Sequence, residues 1–143
     1  MKKIAVVGYG VIGKRVADAV NVQEDMDLFG VCDIISDWRI QTALEKGFAV
    51  FAATKEADEK MRSEGISVAG SMQELLERVD LVVDCTPKKI AAKNVETYRE
   101  KGIKFILQGG EKHETTGHSF SAENNYESAV GLNSTRVVSC NTT

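Results

Sequence analysis

Three glycines near the start of the chain, in the run Gly8-Tyr9-Gly10-Val11-Ile12-Gly13, form the pattern G-x-G-x-x-G. The pattern alone is common, but its setting here is restrictive. It follows Lys2 to Val7, a short run rich in Ile and Val that predicts a buried strand. It opens Val11 to Val22, where Ile12, Val16, Ala19 and Val20 recur at helical spacing. A second predicted strand, Leu28 to Cys32, ends at Asp33, 20 residues after Gly13. Together these are the features of a dinucleotide-binding turn. Gly8 is predicted to make the tight turn, Gly10 to let the backbone approach a pyrophosphate, and Gly13 to let helix and strand pack closely. The helix N-terminus then offers N–H groups and a positive dipole end to the anion. A glycine-rich turn without a ligand is the alternative, and the context disfavours it.

The rest of the chain keeps the same alternation. Trp38 to Lys46 predicts a helix closed by Gly47, and Phe48 to Phe51 a short strand. Lys55 to Glu64 is helical in propensity and closed by Gly65. Ser71 and Glu74 form a capping box that opens a short helix to Arg78. Leu81 to Cys85 is the next strand, and Pro87, the only proline, stops it. Ile90 to Lys101 is a helix with Ala91, Val95 and Tyr98 on one face. Ile103 to Leu107 and Arg136 to Ser139 are further strands, while Phe120 to Val130 is ambiguous. Alternating strands and helices imply parallel strands joined by crossovers, an α/β doubly wound (Rossmann) sheet. In such a sheet ligands lie at the carboxyl ends of the strands. The loops Thr86-Pro87 and Gln108-Gly109-Gly110 are therefore expected to line the cofactor groove.

Asp33 is expected to meet the ribose hydroxyls and to repel the 2′-phosphate of NADP, although Arg39 and Lys46 downstream could offset it. The cofactor is read as NAD or NADP. With 43% hydrophobic and 27% charged residues and a net charge of −3, the chain has no basic excess for nucleic acid. No stretch approaches the ~20 apolar residues of a membrane span, so a cytoplasmic protein is expected. Three widely spaced cysteines argue against a disulfide framework. Cys32 and Cys85 read as buried small residues. His113, His118 and Cys140 match no common zinc spacing, so no metal is expected, and both histidines read as surface residues.

Cys140 follows a predicted strand and precedes Asn141, Thr142 and Thr143. A helix starting there would stabilise a thiolate. Four blocks then resemble the archaeal type of phosphorylating glyceraldehyde-3-phosphate dehydrogenase. They are Val7 to Ala17, Val83-Asp84-Cys85-Thr86-Pro87, Gln108-Gly109-Gly110-Glu111-Lys112, and Val137-Val138-Ser139-Cys140-Asn141-Thr142-Thr143. They stand in family order and spacing across all 143 residues. Ser-Cys-Asn-Thr-Thr is the most specific, since the aspartate-semialdehyde enzymes look like Ser-Asn-Cys-Thr-Thr.

The resemblance implies that Cys140 attacks the aldehyde, that hydride passes to the nicotinamide, and that inorganic phosphate releases the resulting thioester. It implies that Ser139, Asn141 and Thr142 hold the substrate, glyceraldehyde 3-phosphate. Val11, Ile12 and Gly110 would touch the cofactor through their backbone. It further implies an NAD(P)-binding domain over 1–139, with 140–143 opening a catalytic domain that supplies the activating histidine. The chain alone is then expected to bind NAD(P) weakly and turn nothing over. The full-length enzyme would be a homotetramer. Many archaeal relatives carry a basic residue where Asp33 stands, which leaves the cofactor preference open. The rival readings are a semialdehyde or homoserine dehydrogenase, and a nucleotide-sensing domain without chemistry.

Overall fold

β-Branched runs and helical repeats alternate along the chain in space as they do in sequence. The computed structural model describes residues 1–108, 119–120 and 134–137. The order is β1 (Lys2–Val7), α1 (Val11–Asn21), β2 (Met26–Asp33), α2 (Trp38–Glu45), β3 (Val50–Ala52), α3 (Lys55–Ser63), β4 (Gly70–Ser71), α4 (Met72–Leu76), β5 (Leu81–Asp84), α5 (Lys88–Lys101), β6 (Lys104–Leu107), β7 (Ser119–Phe120) and β8 (Ser134–Val137).

These strands form one sheet in the order β4-β3-β2-β1-β5-β6-β8-β7, and each neighbouring pair is parallel. The chain winds outward from β1 to β4, then returns to lay β5 on the other side of β1. Alternate residues of each strand face opposite layers, as the strand repeat of two requires. Val6, Val31, Val50 and Ala52 pack with Ala17 of α1, Ile40 and Ala43 of α2, and Ala57 and Met61 of α3. Ala5, Val7, Cys32 and Phe51 pack with Leu75 and Leu76 of α4 and with Val95 and Tyr98 of α5. Both faces are thus covered, which explains the near-continuous apolar strands.

Several boundaries differ from the sequence reading. β4 was not anticipated: it is two residues long, and Ser71 doubles as the cap of α4. The capping box at Ser71 and Glu74 is present, but α4 ends at Leu76, before Arg78. β8 lies at Ser134–Val137, two residues before the predicted strand. Polar Ser134 and Thr135 conceal its start, although Thr135 is buried. β7 falls at the edge of the ambiguous region. Cys32 is buried, but Cys85 is only half-buried because it stands at the open edge of the sheet.

Candidate functional site

The sheet reverses its winding between β1 and β5, and a groove of about 700 Å³ opens there at the carboxyl ends of the strands. Strand hydrogen bonds bring the loop ends together. The Gly8 N–H donates to the Cys32 carbonyl at 2.8 Å, and the Cys85 N–H donates to the Val7 carbonyl at 2.7 Å.

The three glycines do three different things. Gly8 has φ +92°, and a Cβ there would sit 2.9 Å from the backbone of Cys85 and Thr86. A Cβ on Gly13 would lie 1.7 Å from the Gly8 carbonyl oxygen, so no larger residue fits. Gly10 has no atom within 4 Å of its Cβ position and lines the groove. Gly10 is also the N-cap of α1 and gives it no side-chain cap. The first-turn N–H groups of α1 therefore remain available to an anion laid along Gly10.

Asp33 stands at the end of β2, half-exposed. Its Oδ2 accepts from the Tyr9 N–H at 2.5 Å, and its Oδ1 accepts from the Ile34 N–H at 2.6 Å and the Ile35 N–H at 3.4 Å. A carboxylate has about four lone-pair sites, so an acceptor position remains on Oδ2 for a hydroxyl group. Asp33 thus braces the glycine loop as well as facing the groove. Arg39 lines the same end of the groove but is paired with Asp37 at 2.6 Å. Lys46 is paired with Asp18 at 2.7 Å and does not line the groove.

The floor on the other side rests on Asp84, which is fully buried. Its Oδ1 accepts from the Thr86 N–H at 2.9 Å and from the Thr86 hydroxyl, and its Oδ2 accepts from Asn94 Nδ2 at 3.0 Å and the Tyr98 hydroxyl at 2.6 Å. Burial, then the charge of Asp84, pushes the Tyr98 hydroxyl pKa up. Burial, then the charges of Asp33 and Asp84, pushes the Cys32 thiol pKa up, so this cysteine is held as a thiol. Ile12, Ile34 and Ile90 remain 45%, 51% and 42% exposed, and all three line the groove. Apolar walls of this kind suit a flat aromatic ring.

Of the residues singled out from sequence, Gly8, Gly10, Ile12, Asp33, Thr86, Pro87 and Gln108 line this groove. Gly13 supports the turn from beneath, and Val11 is exposed beside it. Gly109, Gly110, Ser139, Cys140, Asn141 and Thr142 lie outside the described residues. Sequence reasoning missed Ile34, Thr54, Met72, Ile90, Lys93 and Asn94, which also line the groove. For Ile90 and Asn94 a signal existed, since both lie in the first two turns of the helix after Thr86-Pro87. An open cradle at Gly10, uncapped helix N–H groups, a strand-end carboxylate and apolar walls fit a dinucleotide, NAD or NADP.

Comparison with known proteins agrees with this geometry. The glyceraldehyde-3-phosphate dehydrogenase of Methanothermus fervidus is 50% identical over 143 residues, covering 100% of this chain and 42% of that protein. The enzyme of the same name from Methanothermobacter thermautotrophicus is also 50% identical, with the same coverage. Glyceraldehyde-3-phosphate dehydrogenase 2 of Methanosarcina barkeri is 53% identical, covering 99% of this chain and 41% of that protein. The chain thus spans about two fifths of the length of these relatives. The resemblance read from the four sequence blocks is borne out.

Among solved structures, GenD2 from gentamicin A biosynthesis in complex with NAD matches with TM-score 0.56 and 21% identity, covering 75% of this chain and 26% of that one. Apo scyllo-inositol dehydrogenase from Lactobacillus casei matches with TM-score 0.58 and 14% identity, covering 82% and 31%. These two show the fold. No helix among the described residues is long and apolar enough to cross a membrane. Residues 2–141 match the family described as dihydrodipicolinate reductase, N-terminus, and with nearly its whole length matched the chain belongs to that family, with a doubly wound Rossmann fold.

Proposed function

We propose that this chain is the nucleotide-binding part of a phosphorylating glyceraldehyde-3-phosphate dehydrogenase of the archaeal type. The observation that carries this reading is 50% identity to the Methanothermus fervidus enzyme, sustained over all 143 residues. The groove supports it. Gly8, Gly10 and the first turn of α1 hold the pyrophosphate, and Asp33 accepts from a ribose hydroxyl. Ile34 and Ile90 flank the base, while Thr86, Pro87 and Gln108 face the nicotinamide half. When bound, NAD(P) supplies the hydride acceptor.

Cys140 is the nucleophile in this reading. Its thiolate adds to the aldehyde carbon of glyceraldehyde 3-phosphate, and loss of hydride from that carbon leaves a thioester. Inorganic phosphate then attacks the thioester carbonyl, and the thiolate leaves with its electron pair to give 1,3-bisphosphoglycerate. Ser139, Asn141 and Thr142 orient the substrate. The histidine that activates Cys140 and the arginines that bind substrate belong to a catalytic domain following residue 139.

The test is made on the gene product that carries this chain. Reduction of NAD(P) by glyceraldehyde 3-phosphate should depend on inorganic phosphate and should vanish in Cys140→Ser. Preference for an amino-acid semialdehyde would replace this reading with a related dehydrogenase. Cofactor binding with no aldehyde turnover would replace it with a nucleotide-sensing domain.

A further inference from the structure

Among the described residues, three cations on the Asp33 side of this groove, Arg39, Lys46 and Lys14, are each engaged elsewhere. A 2′-phosphate belongs where Asp33 meets the ribose, and an arginine close by is the usual means of accepting it. Arg39 is placed for that role. It lines the groove with Asp33 and Ile34, close enough to Asp33 to feel its charge. Its guanidinium is instead turned onto Asp37. Arg39 Nε donates to both oxygens of Asp37, at 3.2 and 3.1 Å, and Nη2 donates to Oδ2 at 2.6 Å. Lys46 is held by both oxygens of Asp18, at 2.7 and 2.8 Å. Lys14, the near cation of α1, lies over the Trp38 ring, 5.7 Å from its centroid.

We propose that Asp37 is a specificity-determining residue: it latches Arg39 away from the 2′-position, so that the chain selects NAD over NADP. This rests on the reading of the groove as an NAD(P) site. Two effects act together. Asp37 occupies the fork that would otherwise grip the phosphate, and with Asp33 it places a second negative charge near a phosphate that carries up to two. Asp37 is also the N-cap of α2, its Oδ1 accepting from the Arg39 N–H at 3.0 Å. Asparagine caps a helix as well as aspartate does, so Asp37→Asn removes the latch without removing the start of α2.

The experiment is calorimetric titration of the 143-residue chain with NAD and NADP, for the wild type, Asp37→Asn, Arg39→Met and the double variant. The wild type should bind NAD more tightly than NADP. Asp37→Asn should raise the NADP-to-NAD affinity ratio by roughly fivefold, the scale of one exposed ion pair changing partners. In the double variant that gain should disappear, while Arg39→Met alone should move NADP affinity by less than about twofold. An unchanged ratio in Asp37→Asn overturns the latch, as does an NADP loss in Arg39→Met as large as in the Asp37→Asn background. Wild type that binds neither dinucleotide would instead overturn the reading of the groove.

Discussion

Tyr98→Phe isolates one bond in the buried cluster beneath the groove. The ring of Tyr98 is fully buried and packs on Phe105, with centroids 5.3 Å apart, so the substitution opens no cavity. What it removes is the hydroxyl that donates to Asp84 Oδ2 at 2.6 Å. That oxygen is then left with Asn94 Nδ2 at 3.0 Å. Losing a buried hydrogen bond to a carboxylate costs about 1.5–3 kcal/mol. At about 2.1 cal/mol/K per residue, a 143-residue chain unfolds with an entropy of about 0.3 kcal/mol/K. A loss of about 2 kcal/mol therefore lowers the Tm by about 7 °C. Calorimetry at neutral pH reads the shift, and urea unfolding checks it against ΔG. Asn94→Ala, alone and combined with Tyr98→Phe, completes a cycle in which both donors share one oxygen. The two costs should fail to add by at least about 0.5 kcal/mol. A Tm drop under about 2 °C, together with additive single effects, would refute the view that Asp84 depends on these donors.

Two substitutions in the glycine turn should separate folding from binding. Gly13→Ala should unfold or strongly destabilise the chain, because its Cβ meets the Gly8 carbonyl oxygen, whereas Gly10→Val, facing open space and weakening only the N-cap of α1, should lower the Tm by no more than about 5 °C and lose NAD(P) binding in calorimetry. The reverse pattern would show that the two glycines have been assigned the wrong roles. Stability should also fall at alkaline pH. Burial, then neighbouring carboxylates, raises the Cys32 pKa above its usual 9.0, so the thiol stays protonated in the fold but ionises in the unfolded chain. Its contribution is complete below pH 9.0 and is lost as pH rises above it, by up to about 1.4 kcal/mol per pH unit. Cys32→Ala should flatten that loss between about pH 9 and 10, and an unchanged slope would sink the assignment.

Much of this was legible in the chain because the sheet is buried on both faces. Strands such as Leu81–Asp84 are then apolar up to their last residue, Asp84, and the helices between them carry one apolar face. Ala91, Val95 and Tyr98 lie on the inner face of α5, as their spacing predicts. Signals failed where an element is short or polar: Gly70–Ser71 is hidden in a helix cap, and Ser134 and Thr135 do not look like strand. The groove was legible only in part. Glycine spacing reports backbone demands, which are local. The contact of Asp33 with the Tyr9 N–H spans 24 residues, and the Tyr98 and Asn94 bonds to Asp84 exist only once α5 has docked. The Asp37–Arg39 pair is close in sequence, but nothing in composition says which way an exposed guanidinium turns.

The central position of β1 has a consequence for how the molecule is made. The first strand to be synthesised is flanked by β2 and by β5, and the Lys3 N–H finds its partner, Asp80 Oδ2, 77 residues later. All its neighbours are parallel, so no hairpin can assemble the sheet cheaply, and loop closure must precede the contacts that reward it. β1, β2 and β3 can pair early and hold the Gly8 turn on one side through Cys32 and Asp33, but its other side has no support until Cys85 and Thr86 arrive beneath it. The nucleotide cradle therefore matures only once β5 has docked. A pulse of dinucleotide during refolding would capture chains only after β5 has joined, which makes ligand capture a clock for the docking of β5.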